Sequence, residues 1–502
     1  LLDTPIEPCT GFRLCYGPMV KHTGCTWEST THNRILSLFR LFNCRKGDKR
    51  LEEELRDNQE GYVQLSQAPG SYLNAYLNFL SFNLMYFFQD VHDSVDAIRH
   101  NALDPTHEKY HLRKNAYNQL YESGQLYGSS FVTSVVAKFK EFEFAKPLKI
   151  PRNIIDLTCP GSLFGGWLAK IYKNVMSIPF NYLNLEAHFV QTPDQSVLDL
   201  MFSKLLGIGN TAPFVFIFFS DDSCASFETT SGRLFVNLDI SSCDISHTHH
   251  VFDLFISTLA RTCFLSDARC LVQQLTLPIS FNYLGKKLKF IPDSPKLYSG
   301  SVLTTLINNL ANMLICTSIA ESYNPRMSRQ EVIDMIPLAA ARAGYIVTVD
   351  VCECPEDLQF LKNSPTITPS GDVCSFLNLG VLLRTLGQGV GLPPGKQTKC
   401  IESLCRAQNS NVVQAFKHGG DHCVSRAVSH LVTSTCEPSR LSYLLKSLVG
   451  RSHSIDDTAL LSRYRLTDDE LYELVTDLQE SQLHHFISNS AADKILAKDY
   501  GY

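Results

Sequence analysis

An unbroken apolar run, Phe214 to Phe219, leads directly into Ser220-Asp221-Asp222. Its aromatic and β-branched content suits a strand covered on both faces, and Arg233 to Leu238 reads the same way. Between the two lies Thr229-Thr230-Ser231-Gly232, a turn signal. An antiparallel hairpin centred between Thr230 and Ser231 sets residues equidistant from that centre opposite each other. Asp222 and Asp239 are equidistant, so the hairpin carries both to the same end of one sheet. Asp244 follows within "DISSCD", where small residues let the chain leave the strand before a helix with Phe252, Phe255, Ile256 and Leu259 on one face. Asp221, Asp222, Asp239 and Asp244 are thus expected to converge on one spot. Carboxylates at the end of a buried strand repel each other and resist desolvation, so they persist there only with a counter-charge. A divalent metal ion is the natural candidate.

The rest of the chain bounds what surrounds this hairpin. At 502 residues it exceeds the roughly 250–300 at which single cores stop growing, which implies one multi-lobed enzyme or several domains. A net charge of -5 gives no global basic signature, so any nucleic-acid contact must come from a local channel. The 17 cysteines form no repeated C-x-x-C pair, which points to reduced, mostly buried thiols in a cytosolic setting. No apolar run reaches the ~18 residues of a membrane span, and Tyr72 to Phe88 is interrupted by Asn74, Asn78 and Asn83. The chain opens on Leu1 rather than Met, as a fragment or processed product does.

Several helices are delimited by their ends. Thr192 as cap, Pro193 at the first position, an apolar stripe of Leu198, Met201, Phe202 and Leu205, and Gly207 as stop define one just before the acidic hairpin. Ser328 to Glu331 is a capping box opening a helix that ends near Gly344, followed by the strand "YIVTVDV". Thr467 to Glu470 is another, ahead of Leu471, Leu474, Val475 and Leu478 at helical spacing. No internal repeat or low-complexity tract is present.

A second stretch, "SGSVLTTLINN" from Ser299 to Asn309, combines a flexible Ser299-Gly300 loop with a helix that sets Thr304 and Asn308 one turn apart on one face. Such a face can read a sugar. With this stretch the chain resembles viral RNA-dependent RNA polymerases. "SG-x-x-x-T-x-x-x-N" looks like their motif B, Asp239 and Asp244 resemble motif A, and "SDD" at Ser220 to Asp222 resembles motif C. Upstream, "KPLKIPRNII" with Lys146, Lys149 and Arg152 resembles the basic motif F. Downstream, "ARAGYIVTV" is similar to motif D and "LQFLKNSP" to motif E. The order is C, A, B rather than A, B, C, which is the permuted palm of permutotetravirus and, more distantly, birnavirus polymerases. In that palm the second strand of the motif C hairpin lies antiparallel to the motif A strand, so a short turn such as "ETTSGR" can join them. Ser220 stands where glycine is commoner, and the lysine often found at the end of motif D has no counterpart in "VTVDVCECPED", which leaves the general acid unassigned.

The resemblance implies an α+β right-hand polymerase with fingers, a permuted palm built on a small antiparallel sheet, and a helical thumb. The expected divisions are 1–130 for an N-terminal extension and fingers, 131–190 for fingers with motif F, 191–365 for the palm with a finger insertion at about 262–297, and 366–502 for the thumb. It also implies template-directed RNA synthesis with two Mg2+ ions, or Mn2+ in their place, at Asp221, Asp222 and Asp239. Asp244, Ser299, Gly300, Thr304 and Asn308 would recognise the ribose, Lys146, Lys149 and Arg152 the triphosphate, and Phe360, Leu361 and Lys362 would form part of the primer grip. The implied partners are an RNA template, the nascent duplex, nucleoside triphosphates, and a priming protein or other viral replication proteins. The implied location is the host cytoplasm, membrane-associated replication complexes or the virion.

Two other readings compete. His247, His249 and His250 beside Asp244, with His418, Asp421, His422 and Cys423 in "HGGDHC", suit a His/Asp metal-dependent phosphohydrolase. Against it, the two clusters lie far apart in sequence, and surface or structural histidines account for them. A non-catalytic RNA-binding replication scaffold is the third reading, opposed by retention of all the aspartates.

Overall fold

The computed structural model describes residues 19–20, 35–38, 70–107, 109–124, 134–137, 152–156, 159–387, 419–428, 453–482 and 485–501. Its centre is a six-stranded sheet in the order Val347–Val351, Gly232–Ile240, Asp222–Thr229, Phe214–Phe219, Leu185–Phe189, Phe180–Tyr182. All neighbours run antiparallel except Leu185–Phe189 against Phe214–Phe219, which are parallel. Two of its strands, Phe180–Tyr182 and Leu185–Phe189, come before residue 191.

Phe214–Phe219 is buried on both faces, as its composition predicts. Side chains alternate across a strand, so Phe214, Phe216 and Phe218 enter the main core while Val215 and Ile217 enter a second one. The Thr304–Ser322 helix belongs to the main core and is buried continuously from Leu306 to Ala320. The Gln195–Leu205 helix supplies Leu198, Met201, Phe202 and Leu205 to the second core. Phe214 stacks on its cross-strand partner Phe227 with ring centroids 4.5 Å apart, a pairing worth about 0.5–1.5 kcal/mol beyond its burial. The Tyr323 hydroxyl then donates to the Glu228 carbonyl at 2.7 Å, which pins the hairpin against the long helix.

Two local expectations are corrected. Along the Gly232–Ile240 strand buried and half-buried residues alternate, with Phe235 packed against the second core, so the second face is covered only in part. Leu234, Val236 and Leu238 face the main core, whereas Asn237 on the other face exchanges hydrogen bonds with the Asp357 carbonyl and the Gln359 N–H, both at 2.9 Å. The cap of the Gln195–Leu205 helix is Asp194, not Thr192: its carboxylate accepts the Val197 N–H at 2.9 Å. Gly207, at a φ of 74°, does follow the helix end. Both capping boxes form as their spacing predicts, Ser328 with Glu331 and Thr467 with Glu470.

Residues 265–290 contribute a helix, Leu265–Gln274, and a hairpin of Ile279–Tyr283 with Lys286–Phe290. Beyond the sheet, a hairpin of Asn363–Ile367 with Val373–Leu377 leads into a separate core from the Leu379–Gly387, Asp457–Tyr464, Asp468–Glu480 and Ser490–Tyr500 helices. Asp199 joins the two lobes, accepting the Ser375 N–H at 2.7 Å and pairing with His453 Nε2 at 2.6 Å. Among the described residues no helix is long and apolar enough to cross a membrane. Ser71–Phe87 instead buries one stripe, Tyr72, Leu73, Tyr76, Leu80 and Leu84. Cys224, Cys243, Cys316, Cys352 and Cys374 are buried free thiols.

Candidate active site

The hairpin places its acids as its symmetry requires. Asp222 pairs with Asp239, and the register continues to Thr229 against Gly232. At the other end of the Asp222–Thr229 strand, Phe219 pairs with Asp222, which leaves Ser220-Asp221 as a two-residue turn. Ser220 adopts a φ of 54°, a left-handed conformation that such turns usually give to glycine. Serine is held there by three asparagines of the Thr304–Ser322 helix. The Ser220 N–H donates to Asn309 Oδ1 at 2.8 Å, Asn312 Nδ2 donates to the Ser220 carbonyl, and Asn308 Nδ2 donates to Ser220 Oγ at 3.1 Å. Positions 308 and 312 lie one helical turn apart and 309 beside them, so one helix face grips the turn. Asn309 and Asn312 carry no motif signature. Their signal in the sequence is polarity inside an otherwise apolar helix, since a buried amide without a partner costs roughly 1–3 kcal/mol.

The electrostatic balance at this turn is negative. Burial pushes the Asp222 carboxyl up to about 6, with Asp221 and Asp239 adding to the rise and the Leu361 N–H and Lys362 opposing it. The Asp239 carboxyl is raised by burial and by Asp221, against the pull of Arg152 and Lys362. The Cys243 thiol is pushed up by burial and then by the charges of Asp244, Asp221 and Asp239.

Among the described residues no three His, Cys, Asp or Glu side chains are placed to hold one metal. Two of the four carboxylates are engaged by the protein: Asp222 Oδ2 accepts the Leu361 N–H at 2.7 Å, and Asp244 Oδ1 accepts Asn308 Nδ2 at 2.9 Å. Asp221 and Asp239 are the two that open to solvent.

The Leu361 contact brings in Phe360, Leu361 and Lys362. Phe360 and Asn363 exchange both backbone hydrogen bonds at 2.9 Å, and Leu361 and Lys362 between them have φ of 50° and 61°. Left-handed geometry at both central residues is the tightest hairpin turn, normally given to Asn and Gly. Phe360 is buried beneath it, and Lys362 Nζ donates to the Asp499 carbonyl while lying 4.4 Å over the Tyr500 ring.

The Ser299-Gly300 loop is stitched to the strand Asn153–Asp156, whose Ile155 N–H donates to the Ser299 carbonyl at 2.8 Å. Gly300 has a φ of 97°, and a Cβ there would lie 2.3 Å from the Ile155 carbonyl oxygen, so the approach requires glycine. Thr304 does not share a target with Asn308. Its Oγ1 donates to the Tyr298 carbonyl at 2.6 Å, closing the loop onto its own helix. Arg152, at the head of the strand, is exposed, and its charge reaches Asp239. Lys146 and Lys149 lie outside the described residues.

The histidines divide. His247 is buried, pairing through Nε2 with Asn308 Oδ1 at 2.7 Å and through Nδ1 with the Tyr345 hydroxyl at 3.0 Å. No sequence motif marked this role for His247 or Tyr345. His249 and His250 lie against each other on the following helix. His422 caps a short helix and Asp421 pairs with Arg426, while His418 lies outside the described residues.

No family model and no curated protein matches the chain. Among solved structures it is similar to the RNA polymerase VP1 from Infectious Pancreatic Necrosis Virus, with 13% identity and a TM-score of 0.37, over 81% of this chain and 54% of that one. The birnavirus VP1-VP3 complex is similar at 13% identity and a TM-score of 0.38, again over 81% and 54%. The chain spans about half the length of these viral proteins.

Proposed function

We propose that the chain carries the catalytic centre of a viral RNA-dependent RNA polymerase with a permuted palm. The observation that carries this reading is the pairing of Asp222 with Asp239, at a turn gripped by the helix that follows the Ser299-Gly300 loop. Motifs distant along the chain thus share one end of one sheet.

The acids suit magnesium. This ion prefers hard oxygens and binds through one or two carboxylates, completing its shell with water and substrate phosphates. A pair, Asp221 and Asp239, open to solvent in a negative surrounding, meets that need without a third protein ligand. Bound there, two such ions would lower the pKa of a primer 3′-hydroxyl and neutralise charge on the triphosphate and the leaving pyrophosphate.

The chain's own residues supply positioning. Asp222 ties the turn to the Leu361 N–H, which would hold the acids beside the hairpin proposed as part of the primer grip. Arg152, with Lys146 and Lys149, would clamp the triphosphate, since phosphoryl transfer depends mainly on positioning and charge neutralisation. Asp244, oriented by Asn308, would accept the ribose 2′-hydroxyl. Ser299 and Gly300 would shape the floor beneath that sugar.

Primer extension on a defined RNA template with Mg2+ tests the reading. Template-directed elongation by the unmodified protein is the expected outcome. Degradation of the RNA would favour the metal-dependent hydrolase, and binding without elongation the scaffold.

A further inference from the structure

Asn308 has no hydrogen-bonding capacity left over. Its two amide hydrogens go to Asp244 Oδ1 at 2.9 Å and Ser220 Oγ at 3.1 Å. Its oxygen meets His247 Nε2 at 2.7 Å and the Cys243 thiol at 3.4 Å. That oxygen can only accept, so the imidazole must present Nε2–H to it. The tautomer leaves Nδ1 as an acceptor, filled by the Tyr345 O–H at 3.0 Å. Every proton in the series Tyr345, His247, Asn308, Asp244 therefore points the same way. Burial holds the imidazole neutral, with its pKa depressed to about 4, which keeps the series in this form at neutral pH.

We infer that His247, fixed by Tyr345, is a positioning residue that orients Asn308 and, through it, Asp244, and so sets the discrimination between ribonucleotides and deoxyribonucleotides. The inference rests on the polymerase reading and goes past the motif residues themselves. Without the Nε2–H donor, Asn308 Oδ1 is a buried acceptor facing only a weak thiol, and the amide gains nothing from its present orientation. Rotated by half a turn, it would set its oxygen against the Asp244 carboxylate, repelling the group meant to receive the 2′-hydroxyl. A site built to bond a hydroxyl rejects the substrate lacking it only while that bond is well aligned.

The test is single-nucleotide incorporation with a ribonucleoside triphosphate and its 2′-deoxy counterpart, comparing kcat/KM for the two. His247→Leu is expected to lower the ribo-to-deoxy ratio by about 10–100-fold, on the order of what leaving a buried acceptor unsatisfied costs. His247→Gln, whose amide donates one way and accepts the other, is expected to keep the ratio within a few-fold. Tyr345→Phe, which removes one oxygen from the end of the series, is expected to lower the ratio several-fold, and it carries the test if His247→Leu does not fold. A folded His247→Leu or Tyr345→Phe with an unchanged ratio overturns the inference, as does an equal fall for both substrates, which marks a merely structural role. If the unmodified protein extends no primer, the polymerase reading itself fails and takes this inference with it.

Discussion

Asp239→Asn is expected to lower RNA synthesis by on the order of 10³-fold, or about 4 kcal/mol of barrier, without unfolding the protein. Asparagine keeps the shape and the strand pairing with Asp222 and Thr348, so the sheet stays intact. What disappears is a formal charge at the point where positive charge must be held. The same change should raise the thermal midpoint in chelator, because Asp221 and Asp239 repel each other in the absence of a cation. A gain in stability coupled to a loss of activity distinguishes this from ordinary damage. The pH dependence has a definite sign. Asp222 titrates near 6 rather than at its usual 3.8, so its ionisation opposes folding: this cost is absent below about pH 4 and develops as pH rises through 6. Steady-state extension and melting in chelator across pH 4–8 check both halves.

Arg463→Met is expected to cost about 3–5 kcal/mol of stability, read as a lower urea midpoint. Arg463 Nη2 meets Asp499 Oδ1 at 2.8 Å, with side chains 1% and 0% exposed. The other Asp499 oxygen accepts the Tyr464 hydroxyl and the Gly380 N–H, each at 2.8 Å, and Arg463 also donates to the Glu356 carbonyl at 2.8 Å. Removing the guanidinium strands a carboxylate away from water, which costs more than the pair's net contribution. Asp499→Leu added to Arg463→Met should recover part of the loss, since no buried charge then remains uncompensated. The pair lies behind the Leu361-Lys362 turn, because Lys362 Nζ donates to the Asp499 carbonyl. Loss of synthesis should therefore exceed the fraction unfolded.

Elements with local signals were legible in the sequence. The Phe214–Phe219 strand, the hairpin centre and the two capping boxes depend on residues within a few positions of each other, and the structure places them as expected. The helix start was misplaced because Thr192 and Asp194 both suit a cap, and only the carboxylate of Asp194 meets the Val197 N–H. The Gly232–Ile240 strand read as covered on both faces because its apolar residues outweigh Arg233 and Asn237, whose partners come from distant segments. The pairing of Asp222 with Asp239 was legible in the sequence, and the contacts that hold the Ser220 turn were not. Ser220 depends on Asn309 and Asn312, and His247 on Asn308 and Tyr345, contacts that span 61 to 98 residues and follow no spacing rule. Buried polar groups of this kind declare themselves only when their partners are in place.

Anomalous diffraction from crystals soaked with Mn2+ and a non-hydrolysable ribonucleoside triphosphate tests the shared acid pair most directly. Manganese contacting both Asp221 and Asp239, with Asp222 still bonded to the Leu361 N–H, is the expected result. Manganese bound at His249 and His250 instead, or no peak touching the two aspartates, would contradict it.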